Sequence, residues 1–169
     1  RTYCMDVAQA RERVSARTAA IMPVHIYGHP ADMPALLELA AERGGLAMVE
    51  DAAEAHGAEC RVDGSWGRCG AFGALSCFSF YANKNVTCGE GGMVLTDDDE
   101  LAQRLRARRN LCFGRETRFL HEDRGWNYRL TNLQAAVGCA QLERIAAILE
   151  RKRGMAARYA AGLAGLPLE

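Results

Sequence analysis

The sequence predicts an α/β fold in which a mostly parallel sheet is flanked by helices. Short apolar runs of strand length alternate with longer segments of helical period along most of the 169 residues. Asp51 and Ser79 stand at the ends of two of the apolar runs. Because sheets of this kind bind ligands at the carboxyl ends of their strands, these positions are the first candidates for a functional site.

The predicted elements follow the period of the apolar residues. In chain order they are a polar helix over residues 6–18, a buried strand over 19–27, a helix over 30–45, strands over 46–50, 74–81 and 92–96, a helix over 97–111 and a long helix over 130–163. Gly28 and Pro30 close the first strand. Asp32 can cap the next helix, and Gly44 with Gly45 ends it.

The later helices also carry boundary signals. The helix over 97–111 has acidic residues in its first turn and arginines in its last, an order that suits the helix macrodipole. We interpret its arginines as a solvated face rather than as a nucleic-acid patch. Thr131 is a possible N-cap of the last helix, and Gly154 is expected to break it.

Composition excludes several classes of function. The formal net charge is +0, which provides no overall field for nucleic acid or a membrane surface. Seven cysteines without a C-x-x-C pair indicate reduced thiols in a cytoplasmic protein rather than a disulfide framework or a zinc site. No apolar run reaches membrane-spanning length, and the N-terminus does not resemble a signal peptide. We expect no metal site, and we assign structural roles to His25 and His29.

Lys84 follows an apolar run and precedes a glycine cluster. Taken singly it is more often a surface lysine, and Asp51 is more often a helix cap. A partly desolvated lysine, however, can attack a carbonyl to form a Schiff base, as in pyridoxal phosphate enzymes. These enzymes also need a carboxylate that keeps the pyridine nitrogen protonated, and Asp51 at a strand end could supply it.

Four motifs change the balance between these readings. In order they are "IMPVHIYGHPADM", "VEDAAEAHGA", "GAFGALSCFSFYANKNVTCGEGGMVLTDDDELAQRLRARRN" and "GWNYRLTNLQAAVGCAQLERI". Together they resemble the DegT/DnrJ/EryC1/StrS family, sugar aminotransferases of aspartate aminotransferase fold type I. The resemblance runs from about Arg17 to Tyr159. It implies that residues 1–153 are part of a large cofactor-binding domain and that 154–169 begin the connection to a missing C-terminal small domain.

The resemblance also implies roles for individual residues. Lys84 would carry pyridoxal phosphate, Asp51 would bind its pyridine nitrogen, and Ser79 its phosphate. Glu54 stands where most members have a glutamine that contacts the cofactor's phenolic oxygen; a carboxylate there must be protonated or repel a phenolate. Asn127 would reach the cofactor phosphate of the neighbouring subunit, which implies a homodimer with shared active sites.

 The resemblance implies that the reaction is amino transfer. The donor is expected to be glutamate, and the acceptor a nucleotide-linked keto-sugar. The glutamate at position 54 and the segment "PVHIYGHPADM" favour GDP-4-keto-6-deoxymannose, which implies perosamine-type chemistry for O-antigen or a related glycan. Two alternatives stay open. A sugar dehydratase of the same family would commonly have a histidine in place of Lys84, and a non-catalytic fragment would lack part of the cofactor site.

Other residues receive weaker interpretations. Residues 89–92, "GEGG", are interpreted as a turn rather than a phosphate loop. His56 either touches substrate or has a structural role. Trp66, Trp126 and Tyr81 are expected to be packing residues, and Tyr81 could instead face the sugar.

Overall fold

The computed structural model describes residues 2–114, 117 and 119–167. Its helices are α1 (Val7–Arg13), α2 (Met33–Glu42), α3 (Asp99–Arg109), α4 (Asn132–Leu142) and α5 (Ile145–Gly162). Its strands are β1 (Ala20–Ile21), β2 (Ala47–Asp51), β3 (Glu59–Val62), β4 (Ser65–Arg68), β5 (Leu75–Ser79) and β6 (Gly92–Leu95). A 3₁₀ turn, Ile26–Gly28, lies between β1 and α2.

The main sheet has the strand order β1-β2-β5-β6. β1, β2 and β5 are parallel, whereas β6 runs antiparallel to β5. A separate hairpin joins β3 to β4. The prediction of an α/β fold with a mostly parallel sheet is therefore confirmed, and the carboxyl ends of β2 and β5 meet at one edge of that sheet.

The predicted strand over 19–27 is wrong beyond Ile21. Pro23 lacks a backbone N–H, so the ladder is interrupted, and Val24 forms only a single bridge to Asp51. Tyr27 then takes a left-handed conformation, with φ 53° and ψ 25°, which turns the chain away from the sheet. The apolar run thus pairs with β2 at two short, separate places rather than as one continuous strand.

Two helix boundaries also differ from the prediction. α1 ends at Arg13 because Val14 is extended, and the long C-terminal helix breaks at residues 143–144 rather than near Gly154. Gly154 lies inside α5, where an added Cβ would meet nothing within 4 Å. A glycine in an exposed helix costs about 1 kcal/mol relative to alanine, which is too little to end the helix.

The predicted caps are confirmed. The Asp32 side chain accepts a hydrogen bond from the backbone N–H of Ala35 at the start of α2. Thr131 caps α4 through a capping box, in which its side chain and that of Gln134 each bond the other's backbone. These short polar interactions fix where both helices begin.

The β3–β4 hairpin was not predicted. Its turn contains Asp63 and Gly64, with φ of 49° and 79°, as a two-residue hairpin turn with two left-handed residues requires. The dipeptide Asp-Gly was the available signal. It was missed because the flanking residues, Arg61 among them, alternate only weakly between apolar and polar.

The largest apolar cluster lies where α2 packs near β1, β2 and β3. α2 supplies Met33, Leu36, Leu39 and Ala40, and the strands supply Ile21 and Met48. A smaller cluster holds the segment after β5 against the C-terminal helices: Phe80, Val86 and Cys88, with Ile145 of α5 against them. Burial of this surface stabilises the framework that carries the strand ends.

Glu50 is a fully buried carboxylate in β2. Its Oε1 accepts hydrogen bonds from the backbone N–H groups of Phe72 at 2.7 Å and Gly73 at 2.6 Å. Its Oε2 accepts from the Gly70 N–H at 2.7 Å and lies 3.1 Å from His25 Nε2. Glu50 therefore ties β2 to the segment that leads into β5 and to the loop that follows β1.

His25 has a fixed role in this cluster, as the structural interpretation predicted. Its Nδ1 accepts a hydrogen bond from the Ala31 N–H at 3.1 Å, so the ring proton is on Nε2 and is donated to Glu50. Burial alone would raise the pKa of Glu50, but hydrogen bonds from His25 and three backbone N–H groups outweigh it. The pKa of Glu50 is consequently held below its ordinary value of 4.5.

We expect Glu50→Gln to lower the free energy of unfolding by about 3 kcal/mol, because an amide NH₂ would face buried backbone donors. Chemical denaturation at pH 7 measures this loss. Since the folded pKa of Glu50 is lowered, its contribution is present above pH 4.5 and is lost as the pH falls through the folded value. The difference between wild type and variant should shrink over that range.

Glu38→Gln is the matched control, because Glu38 is exposed on α2. We expect the free energy of unfolding of this variant to lie within about 0.5 kcal/mol of the wild-type value. Equal effects of the two substitutions would contradict a special role for Glu50.

Candidate active site

Asp51 is the last residue of β2, at the edge of the sheet where the parallel strands end. Its N–H donates to the Pro23 carbonyl at 2.9 Å, and its own carbonyl accepts from the His25 N–H at 3.0 Å. On the other side, the Ala52 N–H donates to the Cys77 carbonyl of β5 at 2.9 Å. The backbone of Asp51 is thus fixed by the chain on both sides, at the carboxyl edge of the sheet.

The side chain of Asp51 begins the turn that follows β2. Its Oδ1 accepts a hydrogen bond from the Ala53 N–H at 3.1 Å. Burial, and then the charge of Asp51, raise the pKa of the neighbouring Cys77 thiol. Cys77 therefore stays protonated beside the carboxylate.

Lys84 forms an ion pair with Glu54, from Nζ to Oε1 at 3.0 Å. The Lys84 side chain is 16% exposed, which rules out the simple surface reading. The second oxygen of Glu54, Oε2, accepts the Tyr27 N–H at 2.8 Å. The hydrogen bond from Lys84, and then that from Tyr27, hold the pKa of Glu54 below its ordinary value, so Glu54 is a carboxylate in this arrangement.

Ser79 ends β5 and lies close to Lys84 along the chain. Its Oγ accepts the Tyr81 N–H at 3.2 Å, so the hydroxyl proton remains available to a ligand. The Lys84 N–H in turn donates to the Tyr81 carbonyl at 3.0 Å. This tight turn holds the serine and the lysine at the same end of the strand. Of the "GEGG" segment, residues 89–90 form a bend rather than an assigned turn, and Gly92 is the first residue of β6.

His56 is buried in the segment that follows β2. It is 5% exposed, and its ring lies 5.4 Å from that of Phe78 and 5.8 Å from that of Phe80. Neither ring nitrogen makes a hydrogen bond of good geometry within the part of the chain that the structure describes. Burial, and then the charge of Lys84, lower the pKa of His56, and the nearby Ser79 backbone only partly opposes this. The imidazole is therefore neutral at pH 7.

Asn127 is not brought to this group by any contact in the described structure. It forms a bridge with Asn110, and its Oδ1 accepts a hydrogen bond from Arg129 Nε at 2.9 Å. Its assignment to the cofactor of a neighbouring subunit stays a prediction.

The packing prediction is wrong for Trp66, which is 71% exposed because nothing in the described structure covers that position of the hairpin. Tyr81 is also exposed, and Trp126 is exposed although it stacks on Tyr128 with ring centroids 6.0 Å apart. Within the described ranges, no group of three or more His, Cys, Asp or Glu side chains could hold a metal ion. No helix in those ranges is both long and apolar enough to cross a membrane.

Two residues of this region were missed by reasoning from the sequence. Glu50 carried a signal, since a carboxylate inside an apolar strand must find buried partners. Tyr27 carried almost none, because a bulky aromatic residue is not expected in a left-handed conformation.

A protein-family model described as the DegT/DnrJ/EryC1/StrS aminotransferase family matches residues 1–169. The chain belongs to this family. Its sheet and helices are those of the fold type I aminotransferases, as the resemblance of the motifs implied.

Individual relatives in this family are close in sequence. The chain is 48% identical over 164 residues to the dTDP-3-amino-3,4,6-trideoxy-alpha-D-glucose transaminase of Streptomyces venezuelae, covering 96% of this chain and 41% of that protein. It is 43% identical over 166 residues to the GDP-perosamine synthase of Caulobacter vibrioides, covering 98% of this chain and 43% of that protein. The chain spans about two fifths of the length of these relatives.

A solved structure agrees with these relationships. The crystal structure of S. venezuelae DesV in complex with a ketimine intermediate superposes with a TM-score of 0.85 at 48% identity. The match covers 97% of this chain and 43% of that one.

We expect the free energy of unfolding of His56→Phe to lie within about 1 kcal/mol of the wild-type value at pH 8. The reason is that a phenyl ring would replace an imidazole whose nitrogens have no hydrogen-bond partner in the described structure. Since the folded pKa of His56 is lowered, the unfolded state binds the proton first. His56 therefore contributes stability above about pH 6.5 that is lost as the pH falls. Unfolding measured from pH 8 to 5 should show a shallower slope for the variant.

His29→Phe leaves His56 in place, at an exposed position, and should keep the wild-type slope. A loss of more than about 2 kcal/mol for His56→Phe at pH 8 would show that the ring nitrogens do have partners.

Proposed function

We propose that this chain is part of a pyridoxal phosphate-dependent aminotransferase that transfers an amino group from glutamate to a nucleotide-linked keto-sugar. The observation that carries the proposal is the half-buried ion pair of Lys84 with Glu54, which lies three residues after Asp51 at the carboxyl end of β2 in a mostly parallel sheet. The names of the relatives, a transaminase and a perosamine synthase that use different nucleotides, support the reaction class.

The residues present fit the chemical needs of this cofactor. An amine is available from Lys84 and a carboxylate from Asp51, and the Ser79 hydroxyl proton is available for a phosphate oxygen. Bound pyridoxal phosphate supplies an electron sink for negative charge at the carbon next to the amino nitrogen. Lys84, Asp51, Ser79 and Glu54 are the residues that would hold it.

Each side chain then has a defined task. The Lys84 amine would hold the cofactor at its carbonyl carbon, with the carbonyl oxygen leaving as water. When the amine is free, it would carry the proton from the α-carbon of the amino acid to that cofactor carbon. Asp51 would keep the proton on the pyridine nitrogen. Glu54, which is a carboxylate in the described structure, can lie beside the phenolic oxygen only if a proton lies between the two groups.

The wider assignments belong to the same proposal. We place residues 1–153 in the large domain and 154–169 at the start of a connection to a second domain. Asn127 would serve the cofactor phosphate of a neighbouring subunit, so that the active sites of a homodimer are shared. All seven cysteines are free thiols, which supports a reducing compartment, the cytoplasm.

The chain contains two lysines, Lys84 and Lys152, which makes the lysine assignment easy to test. We expect borohydride reduction in the presence of pyridoxal phosphate to trap the cofactor on residue 84 in wild type and in Lys152→Arg. Lys84→Arg should give no adduct and should lose at least about 1,000-fold in amino transfer, because its guanidinium is not a nucleophile. Peptide mass spectrometry locates the adduct.

An adduct on Lys152 in the Lys84→Arg variant, with transfer retained, would refute the assignment. Cofactor titration of the 169-residue chain alone decides the fragment alternative. Tight stoichiometric binding would exclude a non-catalytic fragment.

For the substrate we propose GDP-4-keto-6-deoxymannose, on the strength of Glu54 in its motif. The competing choice is a dTDP-linked sugar, which the 48% identical relative favours. We compare GDP-, UDP- and dTDP-linked 4-keto-sugars as acceptors, with glutamate as donor. We expect the protein that carries this chain to release 2-oxoglutarate fastest with the GDP-linked sugar. Preference for dTDP or UDP would overturn the GDP choice, and deoxygenation without 2-oxoglutarate would indicate a dehydratase.

A further inference from the structure

The turn before α2 has an unusual backbone. Tyr27 has φ 53° and ψ 25°, and Gly28 follows with φ 78°. A left-handed conformation costs a bulky residue roughly 1–2 kcal/mol, and such strain is retained where the surrounding structure requires it. The Tyr27 side chain is 84% exposed, so packing of its ring does not explain the conformation.

The backbone of this turn, rather than the Tyr27 side chain, makes its contacts with the rest of the protein. The Tyr27 N–H donates to Glu54 Oε2 at 2.8 Å. A Cβ added to Gly28 would lie 3.0 Å from the Glu54 carbonyl oxygen, so the turn approaches Glu54 more closely than most residues allow. Both contacts end on the same residue, the ion-pair partner of Lys84.

We propose that Tyr27 and Gly28 form a positioning turn for Glu54, in which the Tyr27 N–H occupies Oε2 and keeps Oε1 directed at Lys84. The inference deepens the proposed function, since it rests on the role given there to Lys84. Tyr27 is a positioning residue that acts through its backbone, and the identity of its side chain matters only through the conformation it permits.

The charged groups around Glu54 are consistent with its two carboxylate oxygens having different partners. Lys84, from the segment after β5, contacts Oε1, whereas Asp51 and the neutral His56 belong to the same turn as Glu54. A fixed carboxylate stabilises the Lys84 ammonium more than a mobile one, because no side-chain freedom is lost when the pair forms. The turn therefore limits how readily the free amine reacts.

Two substitutions at position 27 separate backbone from side chain. Asparagine tolerates the left-handed conformation, whereas valine does not. We expect Tyr27→Asn to behave as wild type, and Tyr27→Val to label at Lys84 about fivefold faster with an amine-reactive ester at fixed pH. Lys152 in the same chain is the internal reference, and Glu54→Gln, which removes the carboxylate, sets the upper limit.

Equal rates in the asparagine and valine variants would overturn the proposal, whether both match wild type or both are faster. A measurement on wild type covers the case in which Tyr27→Val fails to fold. The Tyr27 amide resonance should shift in an acid titration together with the Glu54 carboxyl resonance. An amide that does not follow that titration would also overturn the proposal.

These measurements need no cofactor and no sugar. Release of 2-oxoglutarate from glutamate and a keto-sugar tests the proposed function separately. That assay can fail while the positioning turn holds, and the turn can fail while amino transfer is found.

Discussion

The structure depends most on the buried carboxylate of Glu50. A charge without exposure is costly, and here that cost is offset by three backbone N–H groups and by His25. An apolar side chain could fill the same space but could not bond the N–H groups of the segment that enters β5. Gly73 allows the approach, since a Cβ there would lie 2.7 Å from the Met48 carbonyl oxygen. The spacing of β2 and β5, and with it the candidate site, follows from this interaction.

The three carboxylates between residues 50 and 54 have three different structural roles. Glu50 is used by the fold, whereas Asp51, on the opposite face of the strand, lies at the sheet edge. Glu54, one turn later, is paired with Lys84 and with the Tyr27 N–H. Residue type alone does not separate these roles. They are set by the strand's alternation, by the turn that follows it and by the donors that each carboxylate meets.

The parts of the fold that were predictable are those set by local chemistry. Asp32 and Thr131 mark their helices because a cap acts within three residues. The strand ending near residue 27 was mispredicted because the effects of Pro23 and of the left-handed Tyr27 depend on neighbouring segments. The alternation of strands and helices placed Asp51 and Lys84 at a sheet edge. The pairing of Lys84 with Glu54 spans 30 residues, so no local pattern could reveal it.

The charge of Lys84 has opposite consequences for its two titratable neighbours. It stabilises the carboxylate of Glu54, which can approach it, and it disfavours the protonated form of His56, which is buried between aromatic rings. Burial, and then the charge of Lys84, lower the pKa of His56, whereas the hydrogen bond from Lys84 lowers the pKa of Glu54 and keeps it a carboxylate. Within the described residues, Lys84 Nζ is held at 3.0 Å from Glu54 Oε1, so in the proposed function a reacting amine would first have to leave this ion pair. If Lys84 has the role proposed for it, the geometry of Glu54 would therefore matter to its reactivity as well as the burial of the lysine.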